Sequence, residues 1–179
     1  MALLSAATLA YTAPTDEQRE FVSSFDDLMV NDYGRKYEFH TVTTPQEWEL
    51  TLFRIMPDDG AAESNGRSVL FQHGATGDAE LWVRTADRGN RYPAFFELAD
   101  QGYDVWMGND RATEYSNVNP RWPDADSNNL WKYREENYDK YDWSWYDQGE
   151  EDLPAVLDKI IEVSGNSKVS YVGYSQGTE

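Results

Sequence analysis

The sequence predicts an α/β fold built around a parallel sheet, and three observations carry that prediction. Two short apolar runs, SVLFQ (Ser68–Gln72) and YDVWMG (Tyr103–Gly108), flank a stretch of helical periodicity, YPAFFELADQG. A second stripe, Leu153, Val156, Leu157, Ile160 and Ile161, repeats at i, i+3, i+4, i+7 and i+8, as expected of a helix lying on a sheet. A third run, KVSYVG (Lys168–Gly173), comes after that stripe. Strand, helix and strand in succession form crossover units, and crossovers join parallel strands.

Taken in order, residues 14–35 are polar and charged, with Phe21, Phe25, Leu28 and Met29 at roughly helical spacing. One short amphipathic helix leading into the domain is expected there. YEFHTVTT (Tyr37–Thr44) and WELTLFRIM (Trp48–Met56) are rich in β-branched and aromatic residues and are separated by Pro45-Gln46-Glu47, which predicts two hairpin strands. PDDGAAESNGR (Pro57–Arg67) is a loop by its Gly, Pro and Asn content. Phe95, Phe96, Leu98 and Ala99 favour a helix that Gly102 ends. Pro154 has to fall in the first turn of its helix, since further in it would delete a hydrogen bond. Gly165-Asn166 closes that helix. The chain thus divides into an N-terminal segment, 1–35, and a domain, 36–179.

From Asn109 to Asp147 no period holds, yet the stretch carries Trp122, Trp131, Tyr133, Tyr138, Tyr141, Trp143, Trp145 and Tyr146. A connection this long and this aromatic is not a plain linker. Packing over the edge of a core is the favoured reading for its rings. A carbohydrate-binding strip is the other, disfavoured because an irregular loop offers no regular platform.

Composition narrows the function. With Lys+Arg 15 against Asp+Glu 33 in 179 residues, the formal net charge is −18, a field that repels phosphate backbones and argues against nucleic acid as a partner. There are no cysteines and two histidines, His40 and His73, so neither a disulfide framework nor a metal centre is expected, and no cofactor motif is present. No apolar run approaches the ~20 residues that span a bilayer. Residues 1–10, MALLSAATLA, read either as a short secretory signal cut after Ala10 or as an ordinary terminus. The missing basic start and the shortness of the run count against the signal.

The chemistry concentrates at the last strand. Gly173-Tyr174-Ser175-Gln176-Gly177 fits G-x-S-x-G and stands directly after an apolar strand preceded by an amphipathic helix. In that context the pattern predicts a nucleophile elbow, with Ser175 on a sharp strained turn and glycines where side chains would collide. Acyl transfer also needs donors for the oxyanion. One is expected from the N–H of Gln176. The second is expected from the loop after an earlier strand, where SVLFQ runs into His73-Gly74-Ala75, and the N–H of Ala75 is the candidate. Two such pieces, in order and on the right elements, outweigh the reading of His-Gly as a simple turn.

These residues resemble the acid lipase family of α/β-hydrolases, which includes gastric and lysosomal acid lipases. The likeness runs from about His40 to Thr178. It rests on His40-Thr41-Val42-Thr43-Thr44, Leu50-Thr51-Leu52-Phe53-Arg54-Ile55, Gln72-His73-Gly74, Val105-Trp106-Met107-Gly108-Asn109-Asp110-Arg111 with Tyr115-Ser116, Asp152-Leu153-Pro154-Ala155 and Tyr171-Val172-Gly173-Tyr174-Ser175-Gln176-Gly177-Thr178.

The resemblance implies a partial α/β-hydrolase fold, cut at the elbow. It also implies a serine hydrolase of triglycerides or sterol esters, secreted or lysosomal, whose aspartate, histidine and cap lie beyond the family's equivalent of Glu179. Where the family commonly has histidine before the nucleophile, this chain has Tyr174, which should tune packing more than chemistry. His73 is expected to hold its turn by a hydrogen bond, His40 lies far off in topology, and Asn109 and Arg111 are expected to fix loops. The chain by itself is therefore expected to be inactive. A thioesterase or peptidase on the same scaffold, and a non-catalytic segment that binds lipid or a partner, are the rival readings.

Overall fold

The computed structural model describes residues 11–86, 92–122 and 138–179. Five strands form one mixed sheet: β1 (Tyr37–Thr43), β2 (Glu49–Ile55), β3 (Ser68–Gln72), β4 (Asp104–Gly108) and β5 (Val169–Gly173). Their spatial order is β1-β2-β4-β3-β5. The β1–β2 hairpin pairs antiparallel and β2 meets β4 antiparallel, whereas β3 runs parallel to both β4 and β5. The parallel core and the N-terminal hairpin therefore agree with the sequence. The antiparallel seam between β2 and β4 sets the hairpin beside them.

Alternation along the strands sends residues to two faces. Phe53, Val69, Phe71, Val105 and Met107 face one core, which also takes Phe95, Phe96 and Ala99 of the helix Ala94–Asp100. Leu50, Leu52, Leu70 and Trp106 face the other, where Val156 and Ile160 of the helix Leu153–Ser164 cover them. Helices on both faces of a parallel sheet are the α/β arrangement. Pro154 falls in the first turn of its helix, and Gly165 ends it in the left-handed conformation, φ 71°.

Two regions differ from the sequence reading. The N-terminal helix is not one element. It breaks into α1 (Asp16–Phe21) and α2 (Ser23–Asp26), the latter running into a wide π-type turn, Asp27–Asp32. Val22 at the break has φ −107° and ψ 34°, which turns the face. Val22, Phe25 and Met29 are buried while Phe21 is 47% exposed. A third helix, α3 (Glu80–Ala86), lies where the sequence shows no period. Its core-facing apolar residues, Trp82 and Val83, are too few to establish one. The helices Ala94–Asp100, Trp145–Asp147 and Leu153–Ser164 are α4, α5 and α6, with a second wide turn, Gln148–Asp152, joining the last two.

Of the aromatic loop, Trp131 and Tyr133 lie outside the described residues. Of the rest, Trp143 packs against the second core and Trp122 lies 6.4 Å from Trp48, whereas Trp145 and Tyr146 are 56% and 57% exposed. Among the described residues no helix is long and apolar enough to cross a membrane.

Candidate active site

The strands β3, β4 and β5 end side by side, at Gln72, Gly108 and Gly173. The β1–β2 turn reaches the same edge, because β1 runs parallel to them. Every non-glycine residue with positive φ among the described residues, namely Glu47, Thr76, Ala112 and Ser175, belongs to a loop at this edge. Such backbone costs about 1–3 kcal/mol per residue and persists only where packing over-determines it. The strain is concentrated at one end of the sheet.

Ser175 comes directly after β5 and its Tyr174 neighbour, at φ 53°, and opens a short 3-10 turn, Ser175–Thr178. Four contacts hold it, one of them the Thr178 hydroxyl donating to Ser175 O (2.6 Å). Tyr174 N–H donates to Gln72 O (3.1 Å), Gly177 N–H donates to Tyr174 O (2.9 Å), and Tyr171 OH donates to Gly177 O (2.7 Å). The space at the glycines explains their presence. A methyl at Gly177 would collide with the His73 carbonyl and stand 2.8 Å from that of Gln72, and one at Gly173 would strike the Gly177 carbonyl. Ser175 itself is exposed. Helical bonding begins at Gly177 N–H, so the N–H of Gln176 precedes it.

The loop after β3 lies directly against this turn. A Cβ on Gly74 would be 2.7 Å from Ser175 Cβ and 2.8 Å from Tyr174 O. Ala75 is exposed beside it, and Gly77 N–H closes the loop onto Gly74 O at 3.1 Å. Among the described residues the N–H of Ala75 meets no backbone carbonyl. The fold thus brings Ser175, Gln176 and the Gly74-Ala75 turn to one place.

His73 is buried beneath that turn, and its hydrogen bonds fix its tautomer. Asp110 N–H donates to Nε2 at 3.1 Å, so the proton sits on Nδ1, which donates to Gly74 O at 2.8 Å. Both ring nitrogens are engaged in holding the loop. His40 lies on β1, the strand farthest across the sheet from β5, and pairs with Glu38 at 3.0 Å. Asn109 bridges the segment before α3 to strand β2, accepting from Ala79 N–H (2.9 Å) and donating to Thr51 O (3.0 Å). Arg111 is fully buried and forks onto Asp152, also fully buried, with Nη2–Oδ1 at 2.7 Å. Tyr174 packs edge-on against Trp82, ring centroids 6.5 Å apart.

Asp110 is the residue that sequence reasoning passed over. Burial pushes its carboxyl up to about 6, and His73 Nε2 lies 3.9 Å away. Nothing local in the sequence marks it, because its surroundings come from β3, β5 and the start of α6. Among the described residues no cluster of His, Asp and Glu is arranged to hold a metal ion.

Comparison with known proteins agrees with this fold. Residues 27–86 match the family described as the partial alpha/beta-hydrolase lipase region. The chain is 34% identical over 151 residues to Lipase 1 of Drosophila melanogaster, covering 84% of this chain and 30% of that protein. It is 34% identical over 152 residues to gastric triacylglycerol lipase of Bos taurus, covering 84% and 35%. The chain therefore spans about a third of the length of these curated relatives. In structure it is similar to an esterase of Pyrococcus furiosus, with TM-score 0.51, 19% identity, and coverage of 83% of this chain and 46% of that one. At that identity the likeness speaks to the fold.

Proposed function

Because this chain is a segment of the acid lipase family of α/β-hydrolases, we propose that its elbow supplies the nucleophile of a lipid ester hydrolase. Ser175 Oγ attacks the ester carbonyl carbon as its proton passes to a base. The tetrahedral oxyanion is held by the N–H groups of Ala75 and Gln176. Collapse expels the alcohol, which takes the proton, and water then releases the acid from the acyl-serine by the same steps in reverse roles.

One observation carries the reading: a serine held at φ 53° at the end of a sheet strand, with the Gly74 turn packed onto its Cβ. Triacylglycerol or sterol esters are the proposed substrates, the first supported by the name of the bovine relative. An oxygen ester is distinguished from a thioester or a peptide by substrate profiling of the intact gene product. A secreted or lysosomal location is likewise proposed, and fractionation of cells expressing the tagged protein tests it.

The general base comes from outside the described residues, since His73 is committed to its loop and His40 is remote. Purified 1–179 is therefore expected to hydrolyse p-nitrophenyl butyrate no faster than buffer. Turnover that disappears in Ser175→Ala would show that a base lies within the chain. In the intact gene product, Ser175→Ala should lower kcat by at least about a thousandfold. Activity surviving that change sinks the assignment of the nucleophile.

A further inference from the structure

We propose that Gln148 is a positioning residue for the elbow. Its side-chain oxygen holds Gln176, and through it the main-chain N–H assigned to the oxyanion, a reading on which this inference rests. Gln176 Nε2 donates to Gln148 Oε1 at 2.9 Å, across 28 residues of sequence.

The anchor is tied to more of the fold than the elbow is. Gln148 opens the wide turn Gln148–Asp152, and the end of that turn is tied down at several points. Asp152 accepts from the Arg111 backbone N–H (3.1 Å), from Nε (3.0 Å) and from Nη2 (2.7 Å). Glu151 accepts from Arg111 Nη2 at 3.1 Å and from Gln46 Nε2 at 2.9 Å. Gln46 in turn accepts from Arg111 Nη1 at 2.8 Å. The loops after β1 and β4 and the start of α6 are thus one hydrogen-bonded body, and Gln148 projects from it to the turn after β5.

The elbow, by contrast, is a four-residue turn with an exposed serine. Its backbone bonds begin at Gly177; among the described residues the peptide between Ser175 and Gln176 is held at its carbonyl by the Thr178 hydroxyl (2.6 Å) and by no backbone bond at its N–H, which keeps freedom to tilt. Pinning the Gln176 side chain restricts that tilt. An oxyanion donor works by being aimed before the charge develops, so a small restriction counts.

Gln148 acts as the acceptor, so a carboxylate at this position keeps the bond and an isosteric hydrocarbon loses it. Hydrogen–deuterium exchange of chain 1–179 at low micromolar concentration, read by mass spectrometry, tests this. Gln148→Leu should speed amide exchange in the peptide covering 174–179 by about fivefold, the factor one side-chain hydrogen bond carries. The β3 peptide, 68–73, should be unchanged. Gln148→Glu should restore the slow rate. Gln176→Ala should reproduce the fast one, with no further gain on adding Gln148→Leu.

Unchanged exchange at the elbow in Gln148→Leu, or additive effects of the two changes, overturns the proposal. If Gln148→Leu loosens both peptides alike, Gln176→Ala decides, since it removes the same bond from the other side. In the intact gene product Gln148→Leu should lower kcat and leave KM unchanged. The exchange results do not require Ser175 to react. Activity that survives Ser175→Ala would end the catalytic reading and leave the tether standing.

Discussion

Gly177 and Gly149 make opposite demands on a single added methyl group. At Gly177 it would meet the carbonyls of His73 and Gln72, which are backbone and cannot rotate away. Gly177→Ala is therefore expected to destabilise by about 2 kcal/mol or more, at the upper end of overpacking costs, because the turn must open. At Gly149 nothing lies within 4 Å and the backbone is helical, so Gly149→Ala should stabilise by about 0.5–1 kcal/mol. Urea melts of the two variants check both signs. The Arg111–Asp152 pair makes a third case. Removing Asp152 leaves the buried guanidinium with Glu151 alone as counter-ion, so Asp152→Ala should cost about 3 kcal/mol, the lower end for a broken buried pair, whereas Arg111→Met with Asp152→Leu should recover most of that loss. The G-x-S-x-G pattern was readable from sequence because its glycines act on neighbours two positions away. Asp152 and Gln148 were not readable as partners of Arg111 and Gln176, because those contacts span 41 and 28 residues.

Among the helices, the apolar face decided what could be read. The stripe of α6 stands out along a twelve-residue helix, and seven-residue α4 buries Phe95, Phe96 and Ala99, while α3, also of seven residues, turns Trp82 and Val83 to the core. The leading segment has the periodicity of a helix, but the backbone at Val22 departs from helical geometry and re-aims the residues after it. Among the strands, β5 is the anomaly. Its one neighbour among the described residues is β3, and it exposes Tyr171 (41%) and Val172 (36%). Unpaired edges of this composition recruit other strands. Chain 1–179 is therefore expected to self-associate as its concentration rises, and Val172→Lys should reduce that association. Sedimentation velocity over a concentration series distinguishes this from a monodisperse monomer, which would contradict it.

Across the whole molecule, two carboxylates pull stability in opposite directions with pH. Burial opposes ionisation of Glu38, but hydrogen bonds from His40, the Thr12 N–H and Arg54 outweigh it and hold the carboxyl at about 2. A depressed folded value means stability that is complete above the ordinary 4.5 and lost as pH falls toward about 2. Asp110 is the reverse. Its carboxyl is raised from 3.8 to about 6, so its protonated form favours folding below 3.8, and that contribution is lost as pH rises through about 6. Asp110→Asn should therefore melt higher than the parent chain at pH 7, by of order 1–3 kcal/mol, with the gain vanishing near pH 4. Glu38→Gln should melt lower at pH 7 and lose that deficit only in strong acid. Thermal melts from pH 3 to pH 8 separate the two.

The amino-acid sequence alone determined the α/β class, the three parallel strands, the leading hairpin and the serine turn, because periodicity and turn glycines act over a few neighbouring residues. The tertiary structure decided the rest: the order β1-β2-β4-β3-β5, the closure of the Gly74 turn onto Ser175, the proton position on His73 and the surroundings of Asp110. Each of these depends on which distant strands end side by side, a matter of packing and strand pairing that no local pattern encodes.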